Sequence, residues 1–351
     1  MSAGAATLPF SWYSDPDILR REQERIFRRS WQYVGHTGQL VRPGDYFTSR
    51  AGDVPVVVLL DEEARTRAFV NVCRHRGSEV VHEAGNRRTL QCRYHAWTYR
   101  LDGSLCAAPR SEREADFDAS SLGLLPVQVE TWGPFVFANP DPTAPSLAAV
   151  LGDMPERLAA GGTDVSSLRF RLRVAYELEA NWKVVIENYL ECYHCPVAHP
   201  GLTSLLDVDP DAYRLDAGEW FSAQVAPVRD AAVSGADSTG DIAEGRFFFL
   251  WPNLRVNVFP GPPNLSLGPA LPDGPERTRG FFDYFFPDGA GEDWPRELIE
   301  FDQQVGREDR ELVESVQRGV SSGLVERGRL LLSGERLIAH FQSLLARALA
   351  D

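Results

Sequence analysis

The stretch "NVCRHRGSEVVHEAGNRRTLQCRYHAWTY", residues 71–99, carries two cysteines and three histidines, and beside His82 four of these fall in the order Cys73, His75, Cys92, His95. The first pair reads Cys-x-His and the second Cys-x-x-His, with sixteen residues between them. A zinc finger usually sets both cysteines on one knuckle and both histidines on a helix, three to five residues apart. Here each knuckle holds one of each. That order suits a [2Fe-2S] cluster in which one iron takes both thiolates and the other takes both imidazoles. Neutral imidazoles in place of two thiolates make such a cluster less negative and lift its potential to roughly −150 to +300 mV, a range for passing single electrons. A structural zinc knuckle is the competing reading.

Around this stretch, short β-branched runs such as "VPVVVLL" (54–60), "AFVNV" (68–72) and "GPFVFAN" (133–139) alternate with Gly, Asp and Asn turns. They predict a small all-β domain over residues 37–143. Upstream, "DPDILRREQERIFRRSW" (15–31) has helical apolar spacing behind an Asp-Pro start, so residues 1–36 are expected to be a helical segment packing on the larger domain that follows residue 143. "NPDPT" (139–143) marks a connection. Beyond it, long strands ("SLRFRLRVAYELEA", "RFFFLWPNLRVNVF", "RTRGFFDYFF") mix with helical patterns near 181–195, 294–320 and 334–350. An α+β domain on an antiparallel sheet is expected over 144–351. Residues 229–245, rich in small and polar side chains, read as a mobile loop.

The second chemical constellation is "NWKVVIENYLECYHCPVAHPG", residues 181–201. Glu191 and His194 are three apart and are expected to share a helix face. His194 and His199 are five apart, about 140° around a regular helix, and need a break to meet on one ion. Pro196 is expected to provide it by disfavouring helix at Cys195. Two histidines and one carboxylate make the facial triad of a non-haem Fe(II) oxygenase, which leaves open positions for dioxygen. The carboxylate is sought on "PRELIEFDQQVGREDRELVESVQRGV" (295–320), whose apolar stripe includes Leu298, Phe301, Val305, Leu312, Val313, Val316 and Val320. Asp309 projects within that stripe and Glu308 on its opposite margin; either remains a candidate ligand.

Composition sets the limits. The 351 residues carry 43% apolar side chains and a formal net charge of −14, which supports one large or two ordinary domains and argues against a nucleic-acid surface. No stretch reaches the ~20 apolar residues of a membrane span, and the N-terminus lacks a secretory pattern. A soluble cytoplasmic protein is expected. Five cysteines are too few for a disulfide framework; outside the cluster motif, Cys106, Cys192 and Cys195 read as free packing residues.

"CRHRG" and "CRYHAWTYRLDG" resemble the two cluster loops of a Rieske domain. Ser78 and Tyr94 stand where respiratory Rieske proteins pair two further cysteines, so the loops resemble those of Rieske oxygenases. Arg93 departs from a frequent Pro, and Ala96 from a frequent Gly. "ECYHCPVAH" is similar to the catalytic motif of the oxygenase (alpha) subunits of Rieske non-haem iron oxygenases: Asp or Glu, two residues, His, four residues, His. The resemblance spans essentially the whole chain. It implies a helix-grip catalytic domain, a [2Fe-2S] cluster on Cys73, His75, Cys92 and His95, and a mononuclear Fe(II) on His194, His199 and Asp309, with O2 as co-substrate. It implies electrons from an NAD(P)H-dependent flavin/iron-sulfur reductase or a ferredoxin, and a head-to-tail homotrimer. There Glu191 would link His194 to the partner's His95; Asn188 joins Glu191 as a candidate catalytic residue.

Glu191, where ring-hydroxylating dioxygenases carry Asp, resembles the choline, glycine betaine and carnitine monooxygenase branch. That implies hydroxylation or N-demethylation of a small quaternary or methylated amine. Hydroxylation of an aromatic acid or ring is the alternative, and from another class, an electron carrier with a non-catalytic binding domain. The aromatics of 246–259, with Tyr284, read either as a cation-holding cage or as sheet packing. Arg74, Arg76, Arg87, Arg88, Arg93 and Arg100, against Glu79 and Glu83, make a basic rim for an acidic electron donor or for a neighbouring subunit.

Overall fold

In a strand, alternate residues serve opposite faces, and in "VPVVVLL" both faces are needed. The computed structural model describes residues 5–229 and 242–350; most of the loop expected at 229–245 thus lies outside the described residues. By contact the chain divides into two compact units, one of residues 27–148 and one joining the segment up to Ile26 to the chain from Ala149.

The first unit holds β1 (Gln32–His36), β2 (Asp45–Ala51), β3 (Val54–Leu60), β4 (Thr66–Val70), β5 (Ala84–Asn86), β6 (Leu90–Gln91), β7 (Thr98–Tyr99), β8 (Leu105–Ala107), β9 (Pro126–Trp132) and β10 (Phe135–Asn139). A seven-stranded antiparallel sheet runs in the order β1-β10-β9-β4-β3-β2-β5, and β6-β7-β8 form a smaller one. Val57 and Leu59 of β3 pack with Tyr46, Phe69, Cys73, Cys92 and Tyr99. Val56 and Val58, on the opposite face, pack with Val34, Phe47, Ala68 and Val136. One strand thus feeds two cores, and the first of them carries both Cys73 and Cys92.

The second unit is a seven-stranded antiparallel sheet ordered β11-β17-β16-β15-β14-β13-β12. Its strands are β11 (Leu168–Leu178), β12 (Arg214–Ala217), β13 (Phe221–Pro227), β14 (Glu244–Leu250), β15 (Leu254–Val258), β16 (Leu265–Pro272) and β17 (Thr278–Pro287). With its helices, including Trp182–Tyr189, Asp293–Val320 and Leu332–Leu349, this makes the α+β class expected from the sequence. No helix among the described residues is long and apolar enough to cross a membrane.

Two expected helices differ in detail. The N-terminal helix starts at Pro16 behind the Asp15 cap, whose side chain accepts the Asp17 amide at 2.8 Å, but it ends at Arg25 rather than Trp31. Past Ile26 the chain tightens into the 3-10 turn Phe27–Arg29, which buries Phe27 fully. On Asp293–Val320 the expected stripe is incomplete: Val316 is 49% exposed, whereas Gln317 is buried. The Gln317 amide accepts from the Asn181 backbone at 2.8 Å and donates to the Tyr13 carbonyl at 3.1 Å, so hydrogen bonding holds a polar residue where periodicity asks for an apolar one.

Charged residues also cement the N-terminal segment. Glu22 and Lys183 are fully buried and paired at 2.7 Å, with the Trp182 indole donating to the other Glu22 oxygen at 2.7 Å. Nearby, Tyr13 Oη lies 2.8 and 2.9 Å from the Glu187 oxygens, and Gln342 donates to Glu187 at 2.9 Å. Burial pushes the Glu187 carboxyl up from 4.5 to about 7, despite the hydrogen bonds from Gln342 and Tyr13 and the charge of Lys183. The folded protein therefore keeps a proton that the unfolded chain releases. Stability from this group is full below pH 4.5 and declines as pH rises through about 7, a loss of about 3 kcal/mol. Glu187→Gln is expected to flatten that decline. Urea unfolding of both proteins between pH 4.5 and 8 checks it, since other titrating groups cancel in the difference.

Candidate metal centres

The two cluster loops are built alike. The Cys73 amide donates to Ser78 and the Gly77 amide returns to the Cys73 carbonyl at 3.0 Å; likewise the Cys92 amide donates to Trp97 and the Ala96 amide returns to Cys92 at 3.0 Å. In each loop the fourth residue after the cysteine is left-handed, Gly77 at φ +76° and Ala96 at φ +59°. This accounts for the glycine expected at 96, because an alanine there costs about 1 kcal/mol. Cys73 and Cys92 are buried, with Cys73 Sγ 3.4 Å from Tyr99 Oη. His75 and His95 are exposed, their rings 4.6 Å apart, and His75 stacks on Trp97 at 4.9 Å. Two sulfurs in the core and two imidazoles at the surface fit a [2Fe-2S] cluster, which Cys73 and Cys92 would hold by their thiolates and His75 and His95 by their rings. Of the arginines expected on the rim, Arg74 is instead half-buried and donates to the Gly123 carbonyl at 3.0 Å. Arg76, Arg87, Arg88, Arg93 and Arg100 are exposed.

The second centre corrects how the chain bends. The helix Trp182–Tyr189 stops before Glu191, so Glu191 and His194 do not share a helix face. The Glu191 carboxylate instead accepts the backbone amides of Tyr193 and His194 and contacts His194 Nδ1. Pro196 does not break a helix either: it lies in the first turn of Cys195–Ala198, where its missing N–H costs nothing. The side-chain turn at 191–194 makes the break, and His199 follows between that short helix and Pro200–Leu205.

His194 Nε2 lies 3.1 Å from His199 Nε2, and Asp309 Oδ1 lies 3.0 Å from His199 Nε2 and 3.5 Å from His194 Nε2. Three donors from separate segments converge on one point. The outer nitrogens are anchored in turn, His194 Nδ1 by Glu191 and His199 Nδ1 by Glu308 at 2.8 Å. Fixing the far ring nitrogen in this way is how proteins orient metal-ligating histidines. Asn188 donates to Asp309 Oδ1 at 2.7 Å. The geometry separates the two acidic neighbours: Asp309 faces the converging nitrogens and Glu308 stands behind His199. Among these donors, burial works against charge on His194, yet hydrogen bonds to Asp309 and Glu191 raise its pKa to about 9. Burial likewise favours a neutral Asp309, but hydrogen bonds from His194, His199 and Asn188 hold it well below the usual carboxylate range. Two imidazoles and one carboxylate fit a facial Fe(II) site.

The donors open onto a cavity of about 100 Å³ adjoined by one of about 210 Å³, sharing Asn188, Tyr189, Arg255, Phe282, Asp302 and Asp309. Of the aromatics weighed as a cage, Phe247 and Phe259 line the first cavity and Tyr284 the second. Phe249 and Trp251 pack on Phe341 instead. Arg255 and Asp302 escaped the sequence reading. Asp302 could have been found, because it lies two helical turns before Asp309 on the same face.

Cys192 and Cys195 are joined in a disulfide, with their Cα atoms 4.9 Å apart, and not free packing residues. The turn set by Glu191 brings them together, and Cys195 has no thiolate to offer a metal. Cys106 is free and exposed, bonded to the Thr98 carbonyl.

Two family models match the chain: the ring hydroxylating alpha subunit (catalytic domain) over residues 165–351, and the Rieske [2Fe-2S] domain over residues 30–129. The carnitine monooxygenase oxygenase subunit of Acinetobacter pittii (strain PHEA-2) is 34% identical, over 98% of this chain and 95% of its own length. The chloroplastic choline monooxygenase of Arabidopsis thaliana is 36% identical, over 97% and 82%. Among solved structures, the quaternary ammonium Rieske monooxygenase CntA in complex with L-carnitine superposes with a TM-score of 0.85 at 33% identity, over 98% of this chain and 96% of that one.

Proposed function

This chain belongs to the ring-hydroxylating oxygenase alpha-subunit family with its Rieske [2Fe-2S] domain, and from that premise we propose that it oxidises a small quaternary or methylated amine. It is a Rieske-type oxygenase, an O2-incorporating oxidoreductase that works with a [2Fe-2S] cluster and a mononuclear iron and draws its electrons from a reductase. Cys73, His75, Cys92 and His95 would hold the cluster; His194, His199 and Asp309 would hold the iron. Once bound, these groups supply single electrons and open coordination positions for dioxygen.

The protein's own residues prepare that chemistry. Glu191 and Glu308 fix the rings of His194 and His199, and Asn188 fixes Asp309. Phe247 and Phe259 line the cavity beside these donors, where aromatic rings can hold a cation. In a head-to-tail homotrimer Glu191 would carry an electron between His194 and the partner's His95, and the exposed arginines of the first unit would receive an acidic reductase or ferredoxin. Glu191 beside His194, in place of Asp, is the observation that carries the amine reading.

A single-turnover experiment tests it. The iron-loaded protein is reduced chemically without O2, then mixed with oxygenated buffer and one compound at a time, while visible absorbance follows cluster reoxidation. L-carnitine, γ-butyrobetaine or choline is expected to accelerate reoxidation and yield an oxidised product, with formaldehyde marking N-demethylation. Acceleration by aromatic acids alone would assign ring hydroxylation instead.

A further inference from the structure

Relatives that oxidise carnitine and choline stand at nearly the same identity, 34% and 36%, so likeness does not choose between a carboxylate-bearing substrate and a hydroxyl-bearing one. Arg255 does. It rises from β15 between Leu254 and Val256 onto the cavity wall. Its Nε donates to the Gly268 carbonyl at 3.2 Å, Nη2 meets Tyr176 Oη, and the guanidinium lies over the Phe282 ring at 4.5 Å. Among the described residues no carboxylate comes within 4.0 Å of it. Arg173, by contrast, is neutralised by Asp283 at 2.6 Å on the same sheet. A sequestered guanidinium without a counter-charge is costly unless a ligand supplies one.

Asp302 shows the complementary deficit. Tyr284 Oη donates to one of its oxygens at 2.7 Å, and no cation pairs with it among the described residues. Burial pushes its carboxyl up to about 6, against the hydrogen bond from Tyr284 and the charge of Arg255. One cavity thus carries a fixed cation and a fixed anion that do not close on each other.

We propose that this cavity selects a quaternary ammonium carboxylate over choline, Arg255 binding the carboxylate and Asp302 facing the ammonium, a refinement that rests on the amine reading above. A zwitterion supplies both missing charges, whereas choline supplies one. Asp302 and Asp309 share a helix face two turns apart, which puts the N-methyl groups toward the histidine-carboxylate cluster and the carboxylate tail toward Arg255. Arg255 is a specificity residue and takes no part in the oxidation.

The test measures half-saturating concentrations for cluster reoxidation with γ-butyrobetaine and with choline. Wild type is expected to half-saturate with γ-butyrobetaine at a concentration at least about 10-fold lower. Arg255→Gln is expected to raise that value about 10- to 100-fold and to move choline by a much smaller factor, since a charge-assisted hydrogen bond is lost to one ligand and only the long-range charge to the other. Arg255→Lys should recover part of it, and the cluster spectrum and iron content report that each variant is folded. Asp302→Asn should weaken both compounds alike. A wild type that prefers choline, or a preference unmoved by Arg255→Gln, overturns the proposal and leaves the amine reading standing. No response to either compound overturns both.

Discussion

Asp309→Ala is expected to lower bound iron from about three to about two per chain, leave the visible spectrum of the cluster unchanged, and reduce substrate oxidation at least about 1,000-fold. Among the described residues Asp309 is the one carboxylate that faces both Nε2 atoms, at 3.0 and 3.5 Å. Without it two neutral imidazoles remain, a weak site for a hard divalent ion. Glu308→Ala is the necessary contrast. It removes the acceptor on His199 Nδ1 and leaves all three converging donors, so iron is retained and its affinity falls only about 10- to 100-fold, the usual cost of an outer partner. Metal analysis with turnover on the two variants separates the roles. Iron lost from Glu308→Ala and kept by Asp309→Ala would exchange the two residues.

The grouping of Cys73, His75, Cys92 and His95 was legible because each loop is local: a cysteine and a histidine two or three positions apart need only a tight turn, and the left-handed Gly77 and Ala96 provide it. The convergence of His194, His199 and Asp309 was legible for a weaker reason. Helical periodicity put Asp309 inward on a stripe that holds at Leu298, Val313 and Val320 but fails at Val316. What stayed hidden depends on side chains that satisfy one another across long separations. No sequence pattern pairs Glu22 with Lys183, which lie 161 positions apart and are fully buried against each other. The turn beyond the helix end at Tyr189 was hidden too, since it is set by the Glu191 carboxylate accepting the amides of Tyr193 and His194 rather than by Pro196. Arg255 sits in a strand whose pattern says only that it is half-buried. Its lack of a counter-charge is visible only once the sheet is assembled.

Glu191→Ala is expected to keep both metal centres loaded and still lose turnover, at least about 100-fold. No converging donor is removed, because Glu191 meets the His194 ring at Nδ1, the nitrogen turned away from His199 and Asp309, and otherwise accepts its backbone amide. The cluster should then stay reduced after mixing with O2 and substrate, a block in electron delivery rather than in iron binding. Iron missing from this variant would make Glu191 a support for His194 and nothing more. His95→Ala is expected to fail for the opposite reason, with the cluster lost and the mononuclear site intact. Mixing the two inactive chains decides whether the electron crosses between subunits. In a closed head-to-tail ring assembled at random from equal amounts, about one quarter of the contacts place an intact cluster against an intact Glu191. Activity near that fraction is expected, because each chain supplies what its neighbour lacks. Transfer confined within one chain would give no recovery, since every chain in the mixture carries one broken half of the path.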